Sequence, residues 1–366
     1  MEAAKRLTVN RDGKPCYDIV YSTDLKDLGA ELSGDAFRGR KALIVTDSSV
    51  GPLYAKSVKA QVPGECDVYT LPAGEEHKNL HEIEGIYRFL IRHHYDRKSY
   101  LIALGGGVTG DMTGYAAATF LRGIDFIQIP TTLLAQADSS IGGKTGVDFE
   151  GYKNMVGAFY MPRLVYANVN FLDTLDGRQF ASGFAEIMKH GLIRDEEYYT
   201  WLIDNMYEIR DRDHKVLQQM LIRSNRIKKE VVEKDPTEKS GRMLLNFGHT
   251  IGHAIEKYKN FTMTHGECVA LGCVAAAYLS WQRGDLPMEE YYEIRDMFVP
   301  FGLPISVTDV DTEAVLALTK SDKKVANGTL RFILLHGVGD AFIATDVGDD
   351  EIRTAIEELT WSGDSE

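Results

Sequence analysis

The first half of the chain alternates short apolar runs with helix-type hydrophobic spacing. Runs rich in apolar residues at 41–47, 66–71, 99–104 and 126–130 end in turn residues or proline, as buried strands do. Segment 81–94 instead repeats its apolar residues every three or four positions, which predicts an amphipathic helix. Those residues are Ile83, Ile86, Tyr87, Leu90 and Ile91. Strands that alternate with helices predict a parallel, doubly wound, Rossmann-like sheet.

The second half is predicted to be mainly α-helical. Its amphipathic segments are 179–193, 196–208, 216–234 and 250–258. Segment 265–283 is almost continuously apolar and rich in alanine, so we expect a helix that is buried on most sides. A strand signal returns at 330–335. We therefore predict an α/β nucleotide-binding domain at 1–175 and a helical metal- and substrate-binding domain at 176–366, with the active site in the cleft between them.

Size and charge limit the class of protein. A chain of 366 residues is expected to form two domains. The net charge of -13 argues against nucleic acid and anionic membranes as partners, but allows a small anionic ligand in a locally cationic pocket. The four cysteines form no CxxC pair, and the first residues lack the apolar run of a signal peptide. We expect a cytoplasmic protein with reduced thiols and no membrane span.

A glycine-rich loop follows the predicted strand at 99–104. Its pattern, Gly105-x-Gly107-x-x-Gly110, matches the dinucleotide fingerprint, in which glycines let the backbone approach a pyrophosphate at a helix N-terminus. Two features differ from the standard motif. The loop follows about the third predicted strand, and no acidic residue closes a strand some twenty residues later. By itself the loop leaves dinucleotide binding and a structural turn equally open. Asp47, at the end of an earlier predicted strand, is the candidate for the adenosine ribose.

Three histidines within 17 residues form a candidate metal site. His249 and His253 are four residues apart, so both project from one helical face. Thr250 replaces the glutamate that an HExxH metalloprotease would need, which excludes that class. His265 begins the next predicted helix, and Glu186 supplies a possible acidic ligand.

Several cations occur in apolar or glycine-rich surroundings, where a surface lysine is not expected. These candidates, with the amides beside them, are Lys144, Lys153 and Asn154, Lys189, and Arg242 and Asn246. In an acidic chain they predict a pocket for a substrate that carries phosphate and carboxylate. Charge spacing alone assigns Lys228 and Lys323 to solvated faces.

These segments together resemble the 3-dehydroquinate synthase family over residues 40–345. The segments that carry the resemblance are Gly74-Glu75-x-x-Lys78, Gly105-Gly106-Gly107-Val108-x-Gly110-Asp111, Phe120-x-Arg122-Gly123, Pro130 to Ser140, Gly142 to Gly146, Lys153 to Ala158, Ala185-Glu186-Ile187-x-Lys189, Leu245 to His249, His265-Gly266-Glu267 and Asp322-Lys323-Lys324.

The resemblance implies a redox-neutral lyase of the shikimate pathway. Such an enzyme converts 3-deoxy-D-arabino-heptulosonate 7-phosphate to 3-dehydroquinate and phosphate, with catalytic NAD+ and one divalent metal. Zn2+ is the metal expected first, with Co2+ as the alternative. Transient oxidation at C5 acidifies the neighbouring C–H, so phosphate can be eliminated before the hydride returns and an intramolecular aldol reaction closes the ring. The resemblance also implies a homodimer.

The resemblance also implies a role for each residue of the site. The metal ligands would be Glu186, His249 and His265, and His253 would transfer a proton or bind a hydroxyl. Asp138 and Lys189 would bind the ring hydroxyls, and Lys228 and Arg242 would bind the substrate carboxylate. The residues that would bind the substrate phosphate are Lys144, Asn154, Asn246, Arg122 of a neighbouring subunit and either Lys323 or Lys324. The NAD+ contacts would be Asp47, Glu75, Lys78, Gly106, Gly107, Val108, Asp111, Thr131, Thr132, Lys144, Lys153, Phe171 and Thr174.

Two departures from the family pattern lie beside the substrate loop, where Asp148 replaces a common asparagine and Tyr152 a small residue. Competing interpretations are an inosose or valiolone synthase, whose substrates lack the carboxylate, and a metal-dependent polyol dehydrogenase, which would accumulate NADH. A third is a non-catalytic NAD-binding protein. Retention of Lys228, Arg242 and Asn246 favours dehydroquinate synthesis.

Overall fold

The computed structural model describes residues 5–236, 241–321 and 331–360, and the chain divides into two units. The first comprises Met1–Leu175 with Leu217–Lys229, and the second Asp176–Val216 with Glu230–Glu366. The sequence predicted a single boundary at 175/176. Segment 217–229 departs from it because Asn225, in that segment, donates hydrogen bonds to Tyr21 and to the backbone carbonyl of Gln136.

The first unit is built on a seven-stranded sheet and a separate hairpin. Its strands are β1 (Lys5–Arg11), β2 (Lys14–Ser22), β3 (Ala42–Asp47), β4 (Cys66–Leu71), β5 (Tyr100–Gly105), β6 (Asp125–Pro130), β7 (Lys144–Phe149), β8 (Tyr152–Phe159) and β9 (Leu164–Asn168). Its helices are α1 (Leu25–Leu32), α2 (Gly51–Lys59), α3 (Leu80–Arg92) and α4 (Gly107–Thr119).

The strand order of the sheet is β1-β2-β9-β6-β5-β3-β4, and only the β1–β2 pair is antiparallel. Alternate side chains of the central strands fill two cores. Ile44 and Ile102 lie in a cluster with residues of α1 and α2, whereas Leu43 and Leu101 lie in another with residues of α3 and α4. Because both faces are covered, these strands carry apolar residues on both faces, and the predicted parallel sheet is confirmed.

The direction in which successive strands are added to the sheet changes at β3. It passes from β3 outward to β4, and then returns to place β5 on the other side of β3. At such a switch point the loops after two adjacent parallel strands diverge and leave a crevice, where open α/β sheets bind ligands. Asp47 at the end of β3 and Gly105 at the end of β5 flank this crevice.

The second unit is mainly helical, as predicted. Its elements are α5 (Gly177–Arg194), α6 (Glu196–Asp204), α7 (Met206–Arg210), the two ends of α8 (His214–Lys234), α9 (His249–Tyr258), α10 (His265–Gln282), α11 (Met288–Asp296), α12 (Thr312–Ser321), β10 (Phe332–Gly337), β11 (Asp340–Ala344) and α13 (Asp349–Leu359). The largely buried α10 packs against α5, α9 and α13, which confirms its predicted burial. The single helix predicted at 196–208 is wrong, because Asn205 leaves helical geometry and caps α6 through its N–H bond to the Trp201 carbonyl.

Among the residues in these three ranges, no helix combines the length and hydropathy needed to cross a membrane. Sequence patterns missed the β1–β2 and β7–β8 hairpins. Strand β8 alternates between exposed and half-buried positions without a buried apolar face, so its sequence carries no core signal.

Candidate active site

Three helices of the second unit bring the predicted metal ligands together. Glu186 comes from the middle of α5, His249 from the first residue of α9, and His265 from the first residue of α10. The Glu186 Oε1 atom lies 3.5 Å from His249 Nε2 and 3.3 Å from His265 Nε2. His253 joins the group one turn along α9, with its ring centroid 4.8 Å from that of His249.

Close backbone contacts at two glycines make this convergence possible. A Cβ atom on Gly266 would collide with the backbone of Ser182, and the Gly266 N–H donates to Ser182 Oγ at 2.9 Å. This contact fixes the start of α10 against α5, and therefore His265 near Glu186. Gly248 has a φ of +78° and precedes α9, and a Cβ there would lie 2.7 Å from Cys273 Sγ. Glycine is required because a side chain would be strained in this conformation and would push α9 away from α10.

The cluster contains a buried ion pair. Glu186 and Lys189 are 0% and 1% exposed, and the Lys189 Nζ donates to a Glu186 carboxylate oxygen. Burial opposes the carboxylate charge, but Lys189 and then the two histidines outweigh it and hold the pKa of Glu186 well below its ordinary value. Burial, followed by the charge of Lys189, lowers the pKa of His249 well below its ordinary range. His249 is therefore a neutral imidazole, the form that binds metal.

The second nitrogen of each of these histidines faces an acceptor. His249 Nδ1 lies 3.1 Å from the Phe247 carbonyl, and His265 Nδ1 lies 3.7 Å from the carboxylate of Glu256, which is 4% exposed. These acceptors favour a proton on Nδ1, which leaves Nε2 for a metal. In the metal-free protein His265 Nε2–H donates to Glu186 at 3.3 Å. Burial opposes the imidazolium charge, but the hydrogen bonds to Glu186 and Glu256 outweigh it and raise the pKa of His265 to about 9. Sequence reasoning missed Glu256. Its place on α9, seven residues after His249 and three after His253, was a usable signal because those spacings share a helical face.

This donor set fits a divalent transition metal. Imidazole nitrogen and carboxylate oxygen are ordinary ligands of Zn2+, and the outer acceptors orient the rings as in metal-binding histidines. The ligand nitrogens of His249, His253 and His265 also lie within 4.8 Å of one another. The geometry therefore allows His253 to be a metal ligand, whereas the resemblance assigns it to proton transfer or hydroxyl binding.

The glycine loop of the first unit lies at the switch-point crevice. Gly105 ends β5, and α4 begins at Gly107, so the loop places a helix N-terminus beside the crevice. A Cβ on Gly105 would lie 2.6 Å from Thr109 Oγ1 and 3.0 Å from a carboxylate oxygen of Asp47. Thr131 and Thr132 follow the adjacent strand β6, and the Thr131 N–H donates to the Gly105 carbonyl. This arrangement fits a dinucleotide, because the helix end favours phosphate and the glycines leave room for it.

A second group of predicted residues surrounds a buried lysine of the first unit. Lys78 is 4% exposed, and its Nζ donates to Asp111 at 2.7 Å and to Asn154 Oδ1 at 2.6 Å. Burial opposes the lysine charge, but Asp111 and then Glu75 outweigh it and raise the pKa of Lys78. The Asp148 carboxylate accepts from the Asn154 N–H at 2.7 Å, so this departure from the family pattern holds the turn of the hairpin in place.

Asp138 and Lys228 form another pair in the first unit. Asp138 lies on a π-helical turn, Ala135–Ser139, and Lys228 lies on α8. The Lys228 Nζ donates to the Asp138 carboxylate, and to the Asp138 carbonyl at 2.6 Å. Lys228 is only 4% exposed, so its assignment to a solvated face from charge spacing alone is wrong. The charge spacing was misleading because the carboxylate of Asp138, which is distant in the sequence, makes burial of Lys228 possible.

The remaining predicted residues have varied surroundings. Arg242 is 2% exposed, donates to the Pro236 carbonyl at 3.0 Å, and shares the short helix Gly241–Asn246 with Asn246. Within the first unit, Lys153 lies 3.7 Å from Glu75, and the Tyr54 hydroxyl lies 2.6 Å from Thr174 Oγ1.

Three residues that the resemblance places at the cofactor or at the phosphate lie at the ends of elements of the first unit. Arg122 and Lys144 are exposed, and Val108 lies in the first turn of α4. Phe171 packs edge to face with Tyr54. Lys323 and Lys324 lie outside the described residues.

Comparison with known proteins identifies the family. The profile described as 3-dehydroquinate synthase N-terminal matches residues 68–182, and that described as 3-dehydroquinate synthase C-terminal matches residues 183–325. The 3-dehydroquinate synthases of Ruminiclostridium cellulolyticum and Acetivibrio thermocellus are each 44% identical to this chain, over 97% of this chain and 99% of theirs.

Solved structures give the same fold. The 2-epi-5-epi-valiolone synthase of Streptomyces hygroscopicus, with NAD+ and Zn2+ bound, has a TM-score of 0.88 and is 27% identical, covering 96% of this chain and 99% of its own. A 2-deoxy-scyllo-inosose synthase complexed with carbaglucose-6-phosphate, NAD+ and Co2+ has a TM-score of 0.87 at 26% identity, covering 98% and 100%. Two family profiles that together span 68–325, and full-length relatives at 44% identity, show that the chain belongs to the 3-dehydroquinate synthase family.

Proposed function

We propose that this chain converts 3-deoxy-D-arabino-heptulosonate 7-phosphate to 3-dehydroquinate and phosphate. The observation that carries the proposal is a pair of deeply buried cations, Lys228 and Arg242, at 4% and 2% exposure. Asp138 already offsets the cost of burying Lys228, and the Pro236 carbonyl accepts from Arg242, so both cations are held in place before a substrate binds. The resemblance assigns both cations to the substrate carboxylate. The substrates of inosose and valiolone synthases lack this group.

Glu186, His249 and His265 would hold a divalent cation, and the related cyclases contain Zn2+ in one structure and Co2+ in another. When bound, the metal would polarise substrate hydroxyls and stabilise negative charge on their oxygens. Phe247 and Glu256 would orient the two imidazoles through their Nδ1 atoms. Lys189 would keep Glu186 ionised and hold a ring hydroxyl, and His253, exposed one turn from His249, would accept or return a proton at an imidazole nitrogen.

NAD+ would take up and return a hydride at C5 of the substrate, so that the complete reaction is redox-neutral. The glycine loop and the N-terminus of α4 would bind the pyrophosphate, and Asp47 would accept from the adenosine ribose. Lys78 supports this assignment because it links Asp111, on the proposed cofactor side, to Asn154, on the proposed phosphate side. Asn154, Lys144 and Asn246 would orient the phosphate that leaves.

Arg122 would complete the phosphate site of a second subunit in a homodimer, as the resemblance implies. Its exposure on the turn that follows α4 is compatible with that role. The dimer and the cytoplasmic location stay predictions.

The test is phosphate release from the heptulosonate phosphate in the presence of zinc and substoichiometric NAD+, with NADH absorbance followed in the same cuvette. We expect phosphate in large excess over the cofactor and no lasting NADH. Stoichiometric NADH would instead identify a polyol dehydrogenase. Absence of phosphate, together with turnover of a sugar phosphate that lacks a carboxylate, would identify an inosose or valiolone synthase.

A further inference from the structure

A polar patch is buried in the middle of α8. Ser224 and Asn225 are fully buried and Lys228 is 4% exposed, although this helix is otherwise rich in charged residues. A buried carboxamide or ammonium costs free energy unless it is hydrogen-bonded, so such a patch needs a specific set of partners. Asn225 and Lys228 each have a partner on the same short turn of the first unit.

Asn225 joins three elements through one amide group. Its Nδ2 atom donates to the Tyr21 hydroxyl on β2 at 2.9 Å and to the Gln136 carbonyl at 3.0 Å. A backbone carbonyl only accepts, so this contact requires the amide nitrogen of Asn225 to face Gln136. Gln136 is itself fully buried and fixed, since its Nε2 donates to the Pro130 and Asn168 carbonyls at 3.1 and 2.9 Å.

Lys228 holds the same turn one helical step later. It lies three residues after Asn225, on the same face of α8, and donates to both the carboxylate and the carbonyl of Asp138. Gln136 and Asp138 both belong to the π-helical turn Ala135–Ser139. Such turns are rare and often occur at functional sites, where they redirect a side chain. Two contacts from one helix to one turn fix the distance between Lys228 and Asp138.

We infer that Asn225 is a positioning residue, which holds α8 against the π-helical turn and thereby sets the position of Lys228 for the substrate. This role rests on the proposed function, in which Lys228 meets the carboxylate and Asp138 a ring hydroxyl. Asn225 is not assigned a contact with the substrate or the cofactor, so its role is to position Lys228. Because a displacement of about 1 Å at such a site can cost about 100-fold in rate, loss of this amide bridge should lower kcat/KM by about 10- to 100-fold.

The test is a double-mutant cycle between Asn225→Leu and Lys228→Met. Leucine has a similar volume and removes both hydrogen-bond donations. If Asn225 acts through Lys228, Asn225→Leu should change kcat/KM by less than about twofold in the Lys228→Met background, while NAD+ affinity of the single variant stays within about twofold of wild type. A merely structural role would give the same loss in both backgrounds.

Leu217→Ala is the matched control for lost stability, because Leu217 is fully buried on the same helix two turns earlier. We expect it to lower the unfolding midpoint at least as much as Asn225→Leu and to keep kcat/KM within about twofold of wild type. Equal activity losses in these two variants, or an additive cycle, would overturn the role of Asn225 alone. Wild-type protein without phosphate release would overturn the proposed function first.

Discussion

Replacing Lys189 with methionine should destabilise the metal-free protein and increase the stabilisation that it gains from zinc. Methionine fills a similar volume but leaves the Glu186 carboxylate, which is 0% exposed, without its ammonium partner. Removing one member of a buried ion pair costs more than the pair contributes, because the remaining charge stays desolvated. A bound cation would then replace the lost charge, and it would no longer be repelled by Lys189.

The magnitude follows from the surroundings of Glu186. Breaking a buried pair costs about 3–5 kcal/mol, and we take about 3 kcal/mol because the cationic form of His265 still lies 3.3 Å from the carboxylate. The second unit has about 180 residues, for which 1 kcal/mol corresponds to roughly 2–4 °C. We therefore expect the unfolding midpoint of that unit to fall by about 6–12 °C in chelator, and by less in zinc.

Calorimetry of wild type and variant, in chelator and in zinc, measures both effects. Lys234→Met is the control, because Lys234 is exposed in the same unit and its loss should change stability by less than about 0.5 kcal/mol. The double variant Lys189→Met/Glu186→Gln should recover part of the loss in chelator, since it removes the unpaired charge. An unchanged midpoint of Lys189→Met in chelator, or a double variant less stable than the single one, would refute this reasoning.

Three further substitutions test the site. His249→Ala should retain no zinc after dialysis and should not turn over, and full activity of a metal-depleted His249→Ala protein would remove the metal from the proposed function. Arg242→Ala should raise KM about 10- to 100-fold through loss of charge-assisted hydrogen bonds, with normal NAD+ affinity by titration calorimetry. An equal loss of NAD+ affinity would indicate misfolding instead. Glu256→Met should weaken zinc binding about 10- to 100-fold in a chelator competition. Glu256→Gln should weaken it less, because its amide oxygen still accepts a hydrogen bond. Equal zinc affinity in both variants and wild type would contradict the orienting role of Glu256.

The parallel sheet could be predicted because its central strands carry their burial in their own sequence. Strands β3 and β5 are apolar on both faces, and the intervening α3 repeats its apolar residues with helical spacing. The β7–β8 hairpin could not, since β8 exposes residues such as Tyr152 and Met155 and has no buried face to mark it. Likewise, no sequence pattern indicated that 217–229 belongs to the first unit. Hydrophobic spacing defines a helix face but not the element against which that face packs.

The candidate site could be predicted where its residues form a short sequence motif, as at the glycine loop and at His249 and His253. It was not predictable where one polar residue orients another across the fold. Asn225 looks like an ordinary helix residue, and Lys228 looks solvated, because burial of a polar side chain depends on partners that are distant in the chain. The partner of Lys228 is 90 residues away.

The buried lysines of the two units follow one rule that no single motif expresses. Lys78 pairs with Asp111, Lys189 with Glu186 and Lys228 with Asp138, and each lysine is at most 4% exposed. In every pair the carboxylate is also a residue that the resemblance assigns to the cofactor, the metal or the substrate. The same contact that offsets the cost of burying the lysine therefore holds in place a carboxylate that is predicted to bind a ligand. Charges fixed in this way need little reorganisation when negative charge develops on a substrate oxygen, which is the property that electrostatic catalysis requires.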